Sequence, residues 1–162
     1  MHTDTADACV RRIAPPAISR TSSLLGRIDY QDAFVVEVGL SRTRDAENWI
    51  RVILEDAPLG TRLRLLSAWT AIGLTLKLPA PGRTVLGWEI RARDADFVLL
   101  GADSRIGMPG ELILRRQGTG LLFSTLVRQN NSIARALWAS IEPAHVRTVR
   151  SLLQLAARRV MG

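Results

Sequence analysis

This sequence predicts an α+β fold: an antiparallel sheet, with two short helices after its first strand and a long helix at the C-terminus. Three observations carry the expectation. Apolar spacing runs near 3.6 residues over 45–73, falls to near two across 74–129, and returns to near 3.6 from 130 onward. The 162 residues, 47% apolar and 23% charged, are the make-up of one domain able to bury a core of its own. Cys9 is the sole cysteine, so no internal disulfide is expected, and a reducing, cytoplasmic setting fits.

Residues 1–26 have no sustained period and carry Pro15-Pro16 and Thr21-Ser22-Ser23, which reads as a flexible arm with a partly docked stretch near Ile13 to Ile18. The domain is expected to span 27–162. Over 28–38, Phe34, Val36 and Val38 alternate with Ala33, Val35 and Glu37, a strand with one mainly buried face ended by Gly39. Ser41 and Thr43 are good N-caps, and Asp45 and Glu47 place negative charge in the first turn. Ala46, Trp49, Ile50, Ile53 and Leu54 then share one helical face. Pro58 and Gly60 break that helix, and Thr61 can cap a second one, with Leu65, Leu66, Trp69 and Ile72 aligned until Gly73.

A short strand over 74–78 and a loop at Pro79-Ala-Pro-Gly82 lead into Leu86, Trp88, Ile90 and Ala92, which alternate with polar neighbours. Asp94-Ala95 reads as a tight turn before the apolar run 97–102. A longer loop over 101–110 precedes a hairpin of 111–116 with 121–129 about Gln117-Gly118-Thr119-Gly120. Asn130, Asn131 or Ser132 caps a helix carrying Ile133, Ala134, Leu137, Trp138 and Ile141. Pro143 is expected to end it and to sit in the first turn of a new helix with the stripe Val146, Val149, Leu152, Leu153, Ala156 and Val160.

The longest charge-free stretch, Leu65 to Leu76, is 12 residues, well short of the roughly 20 that cross a bilayer. Asp4 and Asp7 stand where a signal peptide needs positive charge, so neither a transmembrane nor a secreted protein is expected. The net charge of +7 and pI near 11.2 come from 21 arginines and one lysine, Lys77. Phosphate neutralisation needs only positive charge and ordinarily draws on lysine too, so specific nucleic-acid binding is not expected from arginine alone. Arg147, Arg150 and Arg158, opposite the apolar stripe of the last helix, are the candidates for any anionic partner.

From Arg27 to about Arg159, the order strand, two short helices, antiparallel meander and terminal helix resembles the START-like superfamily. This is the helix-grip fold of birch-pollen-allergen relatives, lipid-transfer START domains and bacterial polyketide cyclases. Trp138 followed by Glu142-Pro143-Ala144-His145 is similar to a bacterial branch of it. The resemblance implies a curved sheet wrapped around the long helix, with an apolar cavity between them closed by the helix pair. Fewer strands are predicted after that pair than the family usually has. The superfamily has no universal catalytic signature, so no catalytic residue is carried over.

Sites with a sharper signature are absent from the pattern. His2, His145 and Cys9 have no metal-ligand spacing, and Gly118-Thr-Gly120 has Phe123 where the dinucleotide fingerprint needs glycine; neither metal nor cofactor is expected. His145 is the one plausible acid/base, with Glu142 one turn away to orient it, although a histidine there is more often a structural hydrogen-bonder. Trp49, Trp69, Trp88 and Trp138 all lie on predicted apolar faces in a chain with 5% aromatics and could ring a cavity. Ile90, Phe97, Phe123 and Thr125 on the sheet, with His145, Val149 and Leu153 on the helix, complete the candidate lining. The leading expectation is a small hydrophobic ligand in that cavity. A cyclase- or aromatase-type enzyme, using His145, Thr125 or Asp103, is the alternative. A basic interaction module is the third reading.

Overall fold

The computed structural model describes residues 9–39 and 44–161. In chain order the elements are β1 (Val10–Ile13), α1 (Ala17–Ser22), β2 (Tyr30–Glu37), α2 (Ala46–Leu54) and α3 (Leu59–Ala71). They continue with β3 (Leu74–Thr75), β4 (Thr84–Val85), β5 (Trp88–Arg93), β6 (Phe97–Ser104), β7 (Gly110–Gln117), β8 (Gly120–Val127) and α4 (Ser132–Met161). The antiparallel sheet runs β1-β2-β8-β7-β6-β5-β4, with β3 pairing to β6. It curls around α4 in the helix-grip manner. β3 is shorter than the strand expected over 74–78, and β4 is a strand that periodicity did not resolve, because two residues are too few to display a period.

The tight turns follow local chemistry. Gln117 pairs with Gly120, so the β7–β8 hairpin turns on Gly118 and Thr119, with Gly118 at φ +57°. Leu86, expected inside a strand, instead shares a two-residue turn with Gly87, at φ 46° and 88°, and β5 begins only at Trp88. Positive φ at both central residues is the twist that matches a right-handed hairpin. The cap of α2 is Asp45, whose side chain accepts the Asn48 N–H at 2.8 Å, whereas Ser41 and Thr43 lie outside the described residues. Pro58, not Thr61, precedes the first turn of α3.

Two expectations need correction. Pro143 does not start a new helix: α4 runs unbroken for 30 residues, about 45 Å, with Pro143 inside it. A mid-helix proline leaves the carbonyl four residues back unbonded, and here both Ala139 and Pro143 are exposed, so water can serve that carbonyl. The apolar stripes on either side pack against the same concave sheet, which holds one axis through the proline.

Residues 10–26, expected to belong to a flexible arm, are also built into the fold. β1 extends the sheet, pairing Val10 with Val36 and Ile13 with Ala33. α1 and the residues after it cross the sheet's outer face, where Leu25 joins Leu99, Ile113 and Leu126 in a second apolar cluster. Ser19 Oγ lies 3.1 Å from Ser124 Oγ, the Arg115 guanidinium donates to Ser22 Oγ at 2.9 Å, and Arg128 donates to the Leu25 carbonyl at 2.7 Å. The wholly buried Glu111 carboxylate accepts from the Ser23 hydroxyl and the Leu24 N–H. These partners lie about a hundred residues away in sequence, so no local pattern could announce them.

Inside the grip, a main cluster joins α2, the C-terminal half of α4 and the concave sheet face through Phe34, Trp49, Leu100, Phe123 and Leu153. A smaller cluster of Met108, Val127, Ala134 and Trp138 closes the other end.

Candidate functional site

A pocket of about 240 Å³ opens where those two inner clusters meet. α3 covers it with Leu65, Ala68, Trp69 and Ile72; the sheet contributes Trp88, Gly110, Leu112, Thr125 and Val127; α4 contributes Trp138, Ile141, Ala144, His145 and Thr148. α3 has the look of a cover because Leu65 is its one buried residue, while Leu59 and Leu63 face outward. Trp69 meets Trp88 edge to face, with ring centroids 5.5 Å apart.

The polar atoms in this wall are unusual. Trp88 Nε1, Trp138 Nε1 and Thr125 Oγ1 are all buried without a hydrogen-bond partner. A buried polar group left unpaired costs about 1–3 kcal/mol, and native proteins satisfy the great majority of them. The three side chains that carry these atoms all belong to residues lining the one pocket, although the atoms themselves are shut off from it.

Beside them stands a buried network. Asp32, 1% exposed, accepts the Thr125 N–H at 3.0 Å and the Tyr30 hydroxyl at 2.7 Å, and lies 3.0 Å from His145 Nε2. A carboxylate only accepts, so Nε2 carries the proton in neutral His145 and Nδ1 keeps a lone pair. Asp32, not Glu142, is therefore the group that orients the ring. Glu142 lies instead 3.9 Å from Arg12 on β1. The aromatic ring of Trp138 packs 5.0 Å from His145 and 4.8 Å from Tyr30.

Burial pushes the Tyr30 phenol far above its ordinary value, reinforced by the neighbouring Asp32 charge and by the hydrogen bond Tyr30 donates to it. The protonated phenol is thus favoured in the folded chain. Its contribution to stability is complete below about pH 10, the unfolded value, and is lost as pH rises beyond that. Tyr30 is the sole tyrosine, so the change in ultraviolet absorbance on phenolate formation reads it alone, the four tryptophans not ionising. Phenolate is expected to appear only as the alkaline chain unfolds; titration in the folded chain at the free amino acid's pH would remove Tyr30 from the network.

Of the predicted cavity residues, the structure brings Trp69, Trp88, Thr125, Trp138 and His145 to the pocket. It does not bring the others. Trp49, Phe123, Val149 and Leu153 are buried in the solid main core, with Ile90 packed against it. Phe97 is on the outer face, beneath Arg115, 4.5 Å from the ring centroid, because its strand parity puts it with Leu99 rather than Val98. Asp103 pairs with Arg91 at 3.1 Å, away from the pocket lining. Among the anionic-partner candidates, Arg150 donates to the Val10 carbonyl at 3.0 Å and lies over Phe34, so it docks β1 instead of facing solvent. Arg147 is exposed.

Sequence reasoning missed Asp32 and the lining residues Leu65, Met108 and Leu112. One signal was legible: Asp32 shares strand parity with Phe34 and Val36, so an acid was due on the inner face. A larger groove between α2 and the 79–87 loop, about 730 Å³, is lined by charges already paired to one another: Arg51 lies 2.9 Å from Glu47 and 2.7 Å from Glu55.

Fold and site together define a helix-grip α+β protein with a small, mostly apolar pocket under its helical cover. No family model matches the chain, and no curated protein matches it. Solved structures similar to this chain include the following two. A protein of unknown function, PA94, from Pseudomonas aeruginosa is 16% identical, with 91% of this chain and 83% of that chain covered and a TM-score of 0.26. CalU16 from Micromonospora echinospora is 14% identical, with 96% and 98% covered and a TM-score of 0.26. At these values neither informs the function. No described helix is long and apolar enough to cross a membrane.

Proposed function

We propose that this chain is a START-like domain that holds a small hydrophobic molecule in the pocket between the sheet and α4. The observation that supports it best is the mostly apolar wall, contributed by α3, the sheet and α4, around a cavity of about 240 Å³. Apolar walls favour an apolar guest, and a few placed polar groups orient it. Binding stabilises the fold by RT ln(1 + [L]/Kd), about 2.7 kcal/mol at a hundredfold excess over Kd. That is a rise of several degrees in Tm for a domain of this size. A thermal-shift screen of small aromatic and aliphatic compounds is expected to find a stabilising class. Ala144→Trp, an exposed position on the pocket lining, is expected to remove the shift while the chain stays folded. If no apolar compound of any class shifts the melt, and the dye ANS finds no internal site, the proposal fails.

A second reading, an acid/base enzyme of the cyclase type, is favoured by one observation: His145, on the pocket lining, is oriented by a buried carboxylate 3.0 Å away. It makes a separate demand. His145→Gln must then abolish turnover of a bound compound while leaving its melting shift in place.

A further inference from the structure

We infer that the outward side of α3 and the adjoining side of α4 form a docking surface for an anionic lipid bilayer. α3 is apolar on two sides. Leu65, Trp69 and Ile72 line the pocket, while Leu59, Leu63 and Leu66 follow one another at i, i+4 and i+7 along another side. Leu59 and Leu63 are 62% and 56% exposed, so only one of the two apolar sides is covered.

α4 continues that surface. Thr148 lines the pocket beneath α3, and Arg159 donates to the carbonyl of Asp56, just ahead of α3. Leu155, 37% exposed, stands seven residues after Thr148 and four before Arg159, on the same helical face. It therefore lies on the side of α4 that adjoins α3. Exposed leucines gathered on two neighbouring helices mark an interaction site, where scattered single ones would not.

Charge names the occupant. α3 carries two arginines and α4 five, against a single acid, Glu142, which lies 3.9 Å from Arg12 on β1. Arg62, Arg150 and Arg159 donate to the backbone carbonyls of Ala57, Val10 and Asp56, neutral partners that leave the positive charge uncancelled. Arg64 and Arg147 are exposed. A second copy of the chain would set this arginine-rich face against itself. A nucleic acid would meet the arginines and leave the leucines in water. A bilayer with anionic headgroups serves both, since leucines enter the acyl boundary while arginines reach the phosphates.

The exposed Ala68 and Ala144 line the pocket, so it reaches the surface along the seam between α3 and α4, on this same face. An apolar guest could then pass between bilayer and pocket without crossing water. That consequence rests on the pocket being a binding site; the docking itself does not.

Vesicle flotation tests the docking. The parent is expected to bind vesicles of phosphatidylcholine with about one-third phosphatidylglycerol about tenfold more tightly than phosphatidylcholine alone, an advantage that high salt removes. Leu59→Ser/Leu63→Ser, at two exposed positions outside the pocket lining, is expected to melt with the parent and to bind the mixed vesicles about tenfold more weakly. Arg64→Gln/Arg147→Gln is expected to lose most of the preference for phosphatidylglycerol. Failure of the parent to bind the mixed vesicles would overturn the proposal. Undiminished binding by the leucine variant would overturn it too, as the mark of a surface that attracts any polyanion. A concentration-dependent dimer of the parent, abolished in the leucine variant, would assign the leucines to a second copy instead. The thermal-shift screen for pocket ligands is a separate measurement, so failure on vesicles leaves the pocket reading standing.

Discussion

Deletion of residues 1–26 is expected to abolish cooperative folding. The deletion removes β1 with its four-residue register on β2, and takes the buried side chains of Val10 and Leu25, each 5% exposed, out of the two clusters they complete. Burying a side chain of that size contributes about 1.5–3 kcal/mol. Leu99, Ile113 and Leu126, all fully buried in the intact chain, would lose their cover on the outer face. Glu111 would lose the Ser23 hydroxyl and Leu24 N–H that its carboxylate accepts. The sum is about 5 kcal/mol or more, comparable with the whole stability of an ordinary domain. Circular dichroism of the shortened chain should therefore show no sharp thermal transition, and ANS should report exposed apolar surface. A truncated chain that melts like the parent would return this segment to the status of a dispensable arm.

Leu153→Asp is expected to be nearly as damaging. Leu153 is 1% exposed on α4, in the cluster that contains Phe34 and Phe123 of the concave sheet face. Truncating such a leucine to alanine costs about 2–5 kcal/mol through lost transfer energy and the cavity left behind. An unpaired carboxylate adds its own desolvation or must stay protonated, so several kcal/mol more is expected. Leu155→Asp is the matched control two residues along the same helix, where the side chain is 37% exposed. It should change stability by no more than about 0.5 kcal/mol. Urea unfolding of both variants beside the parent checks the pair; equal midpoints would mean that α4 is not gripped by the sheet.

The contrast between those two leucines shows what was legible in advance. Helical periodicity placed Leu153 on the apolar stripe of α4 with Val149 and Ala156, and strand alternation placed Phe34 and Phe123 on one side of their strands. Such patterns are local, since a side chain's face depends only on its own element's period. For that reason the order of the longer elements from β2 onward, the α+β class, the helix pair after the first long strand and the β7–β8 turn could all be read from the residues in sequence. So could the inward position of Trp88, Thr125 and Trp138.

Which inward residues meet solid core and which meet open space is not a local property. Trp49 and Trp69 occupy similar positions on consecutive amphipathic helices, yet α2 is pressed into the main core and α3 only covers the pocket. The same limit hid the partner of His145: Glu142 is one turn away in sequence, but Asp32, 113 residues distant, is the carboxylate that reaches the ring. It also hid the continuity of α4 through Pro143 and the docking of residues 10–26, whose partners come from β2, β7 and β8. Periodicity reports which way a side chain faces along its own element. What stands opposite it is set by how distant elements pack, and only the tertiary structure decides that.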